Sequence, residues 1–224
     1  MKKLSVFKIS LTIMFVACLF MMIPSSYAAK TLKIGIVDCY SGPPSTYTND
    51  VRDAFKMEVA QLNASGGILG RQIEVLTRDS KFKVDLGLSA AKELIYRENV
   101  DILMGTINSA LALAVSNMCK KEKVPFFVTF SKSAKITGAQ GHRYVFSITE
   151  NTALAGKAAA VGLAKKPYKK YWIAGDDYEY GHAIADGVWD NLQKMKPDVE
   201  LLGQSWWKVG EPDFTPYILS LIHI

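Results

Sequence analysis

The sequence predicts an α/β chain, a doubly wound parallel-sheet domain followed by a second α/β unit that is incomplete. Three observations carry this. Short β-branched runs alternate with amphipathic helical segments, the links between them are brief, and the alternation restarts after a junction at about residues 146 to 151. The composition agrees: of 224 residues 49% are hydrophobic and 21% charged, which excludes collagen-like, low-complexity and disordered classes.

Residues 1–28 read as a secretory signal. Lys2, Lys3 and Lys8 give a positive start, the run from Leu11 to Ile23 is apolar apart from Thr12, and Ser26-Tyr27-Ala28 offers small residues to a signal peptidase. A transmembrane anchor needs about 18 or more apolar residues, and this run is shorter and ends at Pro24. Removing the three signal lysines from 27 basic residues leaves 24 against 21 acidic ones, a net charge of +3. That is too small to imply a nucleic-acid partner. The clusters Lys120-Lys121-Lys123 and Lys165-Lys166-Lys169-Lys170 read as solvated charge at helix ends and turns.

LKIGIV (32–37) reads as the first buried strand. The helix after Asp50 places Val51, Phe55, Val59 and Leu62 on one face and stops at the glycines of residues 63–70. QIEVLTRD (72–79) is the second strand, followed by a helix with Val84, Leu88, Ala91 and Ile95 on one side. DILMGT (101–106) is the third, and Leu111, Ala114, Val115 and Met118 form the next apolar face. PFFVTF (125–130) is the fourth, with Pro125 confined to its first position. Four repeats of strand then helix imply right-handed crossovers and a sheet covered on both faces. Another strand near residues 144–147 leads into the second unit. There a helix with Leu154, Ala158 and Val161 precedes strand KYWIAGDD (170–177), a helix with Ile184, Val188 and Leu192, strand VELLGQSW (199–206) and a helix beginning near Phe214.

In such sheets ligands bind outside the carboxyl ends of the strands. The functional loops are therefore those after Val37, Asp79, Gly105 and Val128. Nucleotide chemistry finds no support, because the loop after the first strand lacks both the closely spaced glycines of a dinucleotide site and a Gly-Lys-Ser/Thr P-loop. Gly66, Gly67 and Gly70 instead terminate a helix. Catalysis finds none either: Ser109 lacks the strained G-x-S-x-G turn and a His partner, and Asp79, Asp176 and Asp177 read as turn or cap residues. No catalytic residue, cofactor or metal site is expected. His142, His182 and His223 are scattered, and Cys39 and Cys119 read as unpaired thiols. The loops do offer groups for a small polar ligand. Ser109 opens a helix, where its hydroxyl and free N–H groups suit a carboxylate or carbonyl, and Tyr47 and Tyr180 can wall a ligand with ring and hydroxyl.

Together the segments LKIGIVDCYSGPPSTY, VRDAFKMEVAQLNASGGILGRQIEVLTRDSKFK, AAKELIYRENVDILMGTINSALALAVSNMCKKEKVPFF, HRYVFSITEN and DDYEYGHAIADG resemble a known family. This is the periplasmic substrate-binding proteins of ABC importers, of the branched-chain amino-acid (leucine/isoleucine/valine) type. The resemblance runs from Leu32 to about Phe214, and Asn-x-x-Gly-Gly-Ile-x-Gly with Tyr180-Gly181 is its most specific part.

The resemblance implies the type I periplasmic binding fold: two doubly wound lobes, residues 29–148 and 149–224, joined by a hinge and closing on a ligand. The second lobe is expected to be truncated, with two further family positions, an aromatic residue and an acidic residue that contacts the ligand's amino group, beyond Ile224. Carried over by position, Ser109 holds the ligand's α-carboxylate, Tyr47 stands at the cleft entrance and Tyr180 packs over the ligand. The next contact loop is small in the family and here reads Phe130-Ser131-Lys132-Ser133, so Ser131 and Lys132 join the candidate site. A cleft lysine favours an extra anionic group on the ligand.

The resulting expectation is a non-enzymatic, monomeric extracytoplasmic (periplasmic) protein that delivers an amino acid, amide or related small carboxylate to a membrane ABC permease, with no cofactor. The alternative is the ligand-sensing domain of a signalling receptor.

Overall fold

The computed structural model describes residues 30–222 except residue 43, so the expected signal segment lies outside the described residues. β1 (Leu32–Asp38), α1 (Ser45–Ala64), β2 (Ile73–Asp79), α2 (Val84–Tyr96), β3 (Ile102–Gly105), α3 (Ser109–Glu122), β4 (Phe126–Val128) and β5 (Val145–Ser147) follow in order. Their five strands form one sheet, β2-β1-β3-β4-β5, parallel throughout. After it come α4 (Thr152–Ala164), β6 (Lys170–Asp176), α5 (Glu179–Met195), β7 (Glu200–Trp207) and α6 (Thr215–Ile222). β6 and β7 pair in parallel as a second, two-stranded sheet. The fold is α/β with parallel sheets.

Strand β1 shows why the first sheet is doubly wound. Ile34 and Ile36 pack with Val59 and Ile73 on the side of α1. Val37 packs with Leu94, Leu103, Leu111 and Phe126 on the side of α2 and α3. Alternate side chains of one strand thus enter two different cores, which demands helices on both faces. The chain runs from β1 to β2 on one side and then to β3 on the other. The strand order reverses there, and a crevice opens at the carboxyl ends of β1 and β3.

The Asn63-x-x-Gly-Gly segment has a local cause. Asn63 clasps the start of β2, accepting from Ile73 N at 2.7 Å and donating to Ile73 O at 2.9 Å. Gly67 turns the chain with φ of +79°, and a Cβ there would stand 2.0 Å from Arg71 O. Only glycine fits.

Several expectations need correction. β4 is followed by turns over residues 129–144 and not by a fourth helix; the segment has Ile136 as its deeply buried apolar anchor and is interrupted by Gly138 and Gly141. The apolar faces of α1 and α2 pack inward through Phe55, Val59 and Leu62 and through Leu88, Ala91 and Ile95, except that their first members, Val51 and Val84, are exposed, while α2 also buries Gly87 and Leu94. The largest departure is α4. Leu154 is 63% exposed and Val161 40%, Ala158 is exposed too, and the buried residues are Thr152, Gly156 and Ala160. The small-residue stripe faces α5, and a Cβ on Gly156 would lie 2.5 Å from the Gly187 carbonyl carbon. The two helices meet backbone to backbone, so the bulky side chains point away. Lys120 and Lys121 occupy the last turn of α3, as their reading required. Cys39 and Cys119 are buried and, among the described residues, form no disulfide.

Candidate functional site

The loops at the strand ends are tied to one another by buried polar groups. Asp38, 3% exposed, ends β1 and accepts from Cys39 N at 2.9 Å and from Ile107 N at 2.8 Å. Burial raises its pKa to about 6 against the lowering effect of those bonds and of Thr106. Asp79, at the end of β2, accepts from Tyr40 N, Ser41 Oγ and Lys81 N at 2.7–2.9 Å. Burial opposes its charge, yet these donors prevail and its pKa is lowered. Ser131 donates from both backbone N and Oγ to Thr106 O, which joins the loop after β4 to the loop after β3.

Over this floor lies a cavity of about 190 Å³ lined by Tyr47, Ile107, Phe130, Lys132, Tyr178 and Tyr180. Tyr47 comes from the first turn of α1, Ile107 and Phe130 from the loops after β3 and β4, and Tyr178 and Tyr180 from the start of α5. Both sheets therefore contribute. The rings are mutually braced: Tyr47 and Phe130 have centroids 6.0 Å apart, as do Tyr178 and Tyr180, and Phe82 meets Tyr178 edge-on at 5.6 Å. Burial, with Asp176 and Tyr180 nearby, pushes the Tyr178 hydroxyl up to about 12, so it stays a hydrogen-bond donor. Lys132 Nζ lies 5.4 Å from the Phe130 centroid and pairs with Glu150. Lys132 and Thr149 hold the Glu150 carboxyl down at about 2. Of the six lining residues only Lys132 is charged.

Tyr47, Lys132 and Tyr180 thus come together around one space, and Ser109 and Ser131 do not line it. Ser131 is 2% exposed and spent on the loop. Ser109 is wholly buried, its Oγ without a protein partner among the described residues. Nor are the helix-start N–H groups all open, because Asn108 Oδ1 accepts from Ala110 N at 3.0 Å and Leu111 N at 3.1 Å. Sequence reasoning passed over Asn108 and Asp38, whose residue types signal no more than a helix cap or a turn. Phe130 stood in the loop already suspected, whereas nothing in its spacing marked Tyr178 over its neighbours.

The start of α5 is clipped to the first sheet's loops. Ser133 Oγ donates to Glu179 Oε1 at 2.8 Å, and Lys135 Nζ lies 3.1 Å from the same carboxylate. A larger recess, about 390 Å³, lies between α5 and β6 and is lined by Trp172, Ile184, Val188, Trp206 and other residues of that unit alone. Among the described residues no group of His, Cys, Asp or Glu could hold a metal ion, and no helix is long and apolar enough to cross a membrane.

This architecture matches a known one. Residues 31–223 match the model of the periplasmic binding protein family. The chain belongs to that family. A Leu/Ile/Val-binding protein of Citrobacter freundii is 23% identical over 205 residues, covering 91% of this chain and 55% of the relative. A periplasmic binding protein of Burkholderia mallei superposes with a TM-score of 0.80 at 25% identity, covering 86% of this chain and 51% of the other. An ABC transporter solute-binding protein of R. palustris, solved in complex with benzoate, gives a TM-score of 0.77 at 20% identity, with 86% and 52% covered. The chain spans about half the length of these periplasmic binding proteins.

Proposed function

We propose that the protein is an extracytoplasmic solute-binding component of an ABC importer, one that captures a small carboxylate, amide or amino acid and presents it to a membrane permease. One observation carries the reading: a cavity at the strand ends takes its wall from both sheets and combines four aromatic rings with a single ammonium. Rings from the two sides sandwich an apolar or aromatic body, and the Lys132 ammonium donates to an acidic or carbonyl oxygen. A ligand bridging the two units favours the closed arrangement by as much as its affinity for that arrangement exceeds its affinity for the open one. In this reading the hinge lies near residues 146–151, the protein acts as a monomer without a cofactor, and it makes or breaks no bond.

Relatives bind branched-chain amino acids by name, and structural neighbours hold benzoate, 4-hydroxybenzoate or isoleucine. Within that range the ring-rich lining favours an aromatic carboxylate.

The test is isothermal calorimetry on the full-length protein with benzoate, leucine and their amides. Benzoate is expected to bind more tightly than leucine. Tyr180→Ala is expected to weaken benzoate by about 1 kcal/mol through lost ring contact, and Lys132→Met to weaken it by about 1.5 to 3 kcal/mol through a lost charged hydrogen bond. Unchanged affinity in both variants removes this cavity as the ligand site.

A further inference from the structure

The cavity's cation does not face its ligand alone. Lys132 Nζ is paired with Glu150 Oε1 and lies over the Phe130 ring, while the other Glu150 oxygen accepts from Thr149 Oγ1 at 2.8 Å. Glu150 is half exposed and is not among the lining residues, so its charge stands just behind the wall. Lys135, the next lysine along the loop, is committed to Glu179. An ammonium has three donors. The carboxylate takes one, the ring faces another side, and the cavity receives an N–H whose charge is already balanced.

We infer that Glu150 is a specificity-determining residue: by balancing Lys132 it lets the cavity accept a ligand with one acidic group or none and disfavours a ligand with two. The inference rests on the reading of this cavity as the ligand site. A first carboxylate shares Lys132 with Glu150, and a second adds a like charge that none of the other five lining residues offsets. At the short separations and partial exposure involved, one such repulsion changes affinity by a factor of roughly three to ten.

The experiment titrates the full-length protein with benzamide, benzoate and terephthalate, probes of one ring and stepwise charge, in the native form and as Glu150→Gln and Lys132→Met. In Glu150→Gln, benzamide is expected to change least, benzoate to tighten about threefold and terephthalate about tenfold, with the gradient shrinking at high salt. Lys132→Met, which leaves the Glu150 charge unbalanced, is expected to weaken benzoate and terephthalate more than benzamide. An equal change for all three probes in Glu150→Gln, or none, overturns the role of Glu150 and leaves the cavity reading standing. Failure of the native protein to bind any probe, or affinities unmoved by Lys132→Met, overturns the cavity reading and this inference with it.

Discussion

At the scale of single residues the site depends on polar groups that water cannot reach. Asp38 holds its proton more tightly folded, near 6, than unfolded, near 3.8, because burial disfavours its charge. Stability from this residue is therefore fully present below about pH 4 and is lost as pH rises through about 6, a loss of about 3 kcal/mol. Asp79, with its lowered pKa, works in the opposite sense and loses its contribution as pH falls. Asp38→Asn keeps an acceptor for Ile107 and Cys39 and is expected to remove the decline between pH 4 and 6 in urea unfolding; an unaltered slope assigns that decline elsewhere. Ser109 makes a prediction of opposite signs. Its buried Oγ has no protein partner among the described residues, so Ser109→Ala is expected to raise the stability of the free protein by about 1 kcal/mol. If a ligand's acid is that partner, the same change weakens binding by about 1 to 3 kcal/mol. Calorimetry with thermal unfolding reads both, and unchanged affinity takes Ser109 out of the site.

At the scale of elements the contact between α4 and α5 shows how packing overrides periodicity. The sequence reading sought the largest apolar residues and so turned Leu154, Ala158 and Val161 inward, but the helix buries Thr152, Gly156 and Ala160. Small residues let two backbones approach, and a stripe of them is nearly silent on a hydrophobicity scale. Gly156→Ala is expected to destabilise by about 1 to 3 kcal/mol despite a helix-propensity gain of about 1, because the new methyl meets the Gly187 backbone. Thermal unfolding checks this, and a rise in Tm refutes the close approach. Strands were more legible. β1, β2, β6 and β7 lie within one residue of their expected limits, since β-branched runs bounded by turn residues leave few other options. The turns of residues 129–144 were not legible, because their conformation answers to contacts with distant parts of the chain, such as Ala134 N donating to Thr152 Oγ1.

At the scale of the whole molecule the carboxyl ends of the strands meet at the point where strand order reverses, and the start of α5 is clipped over them through Glu179. The sequence by itself determined the α/β class, the choice of the loops after β1, β2, β3 and β4 as the functional ones, and the candidates Tyr47, Lys132 and Tyr180 that line one cavity. It did so because alternation, turn residues and short links are local properties. Only the tertiary structure decided that Ser131 turns into the loop framework, that Asp38 and Asn108 hold the floor, that α4 shows its small face to α5, and that Glu150 stands behind Lys132. Those outcomes depend on which distant atoms compete for the same space, hydrogen bond or charge, and spacing along a chain carries no record of that competition.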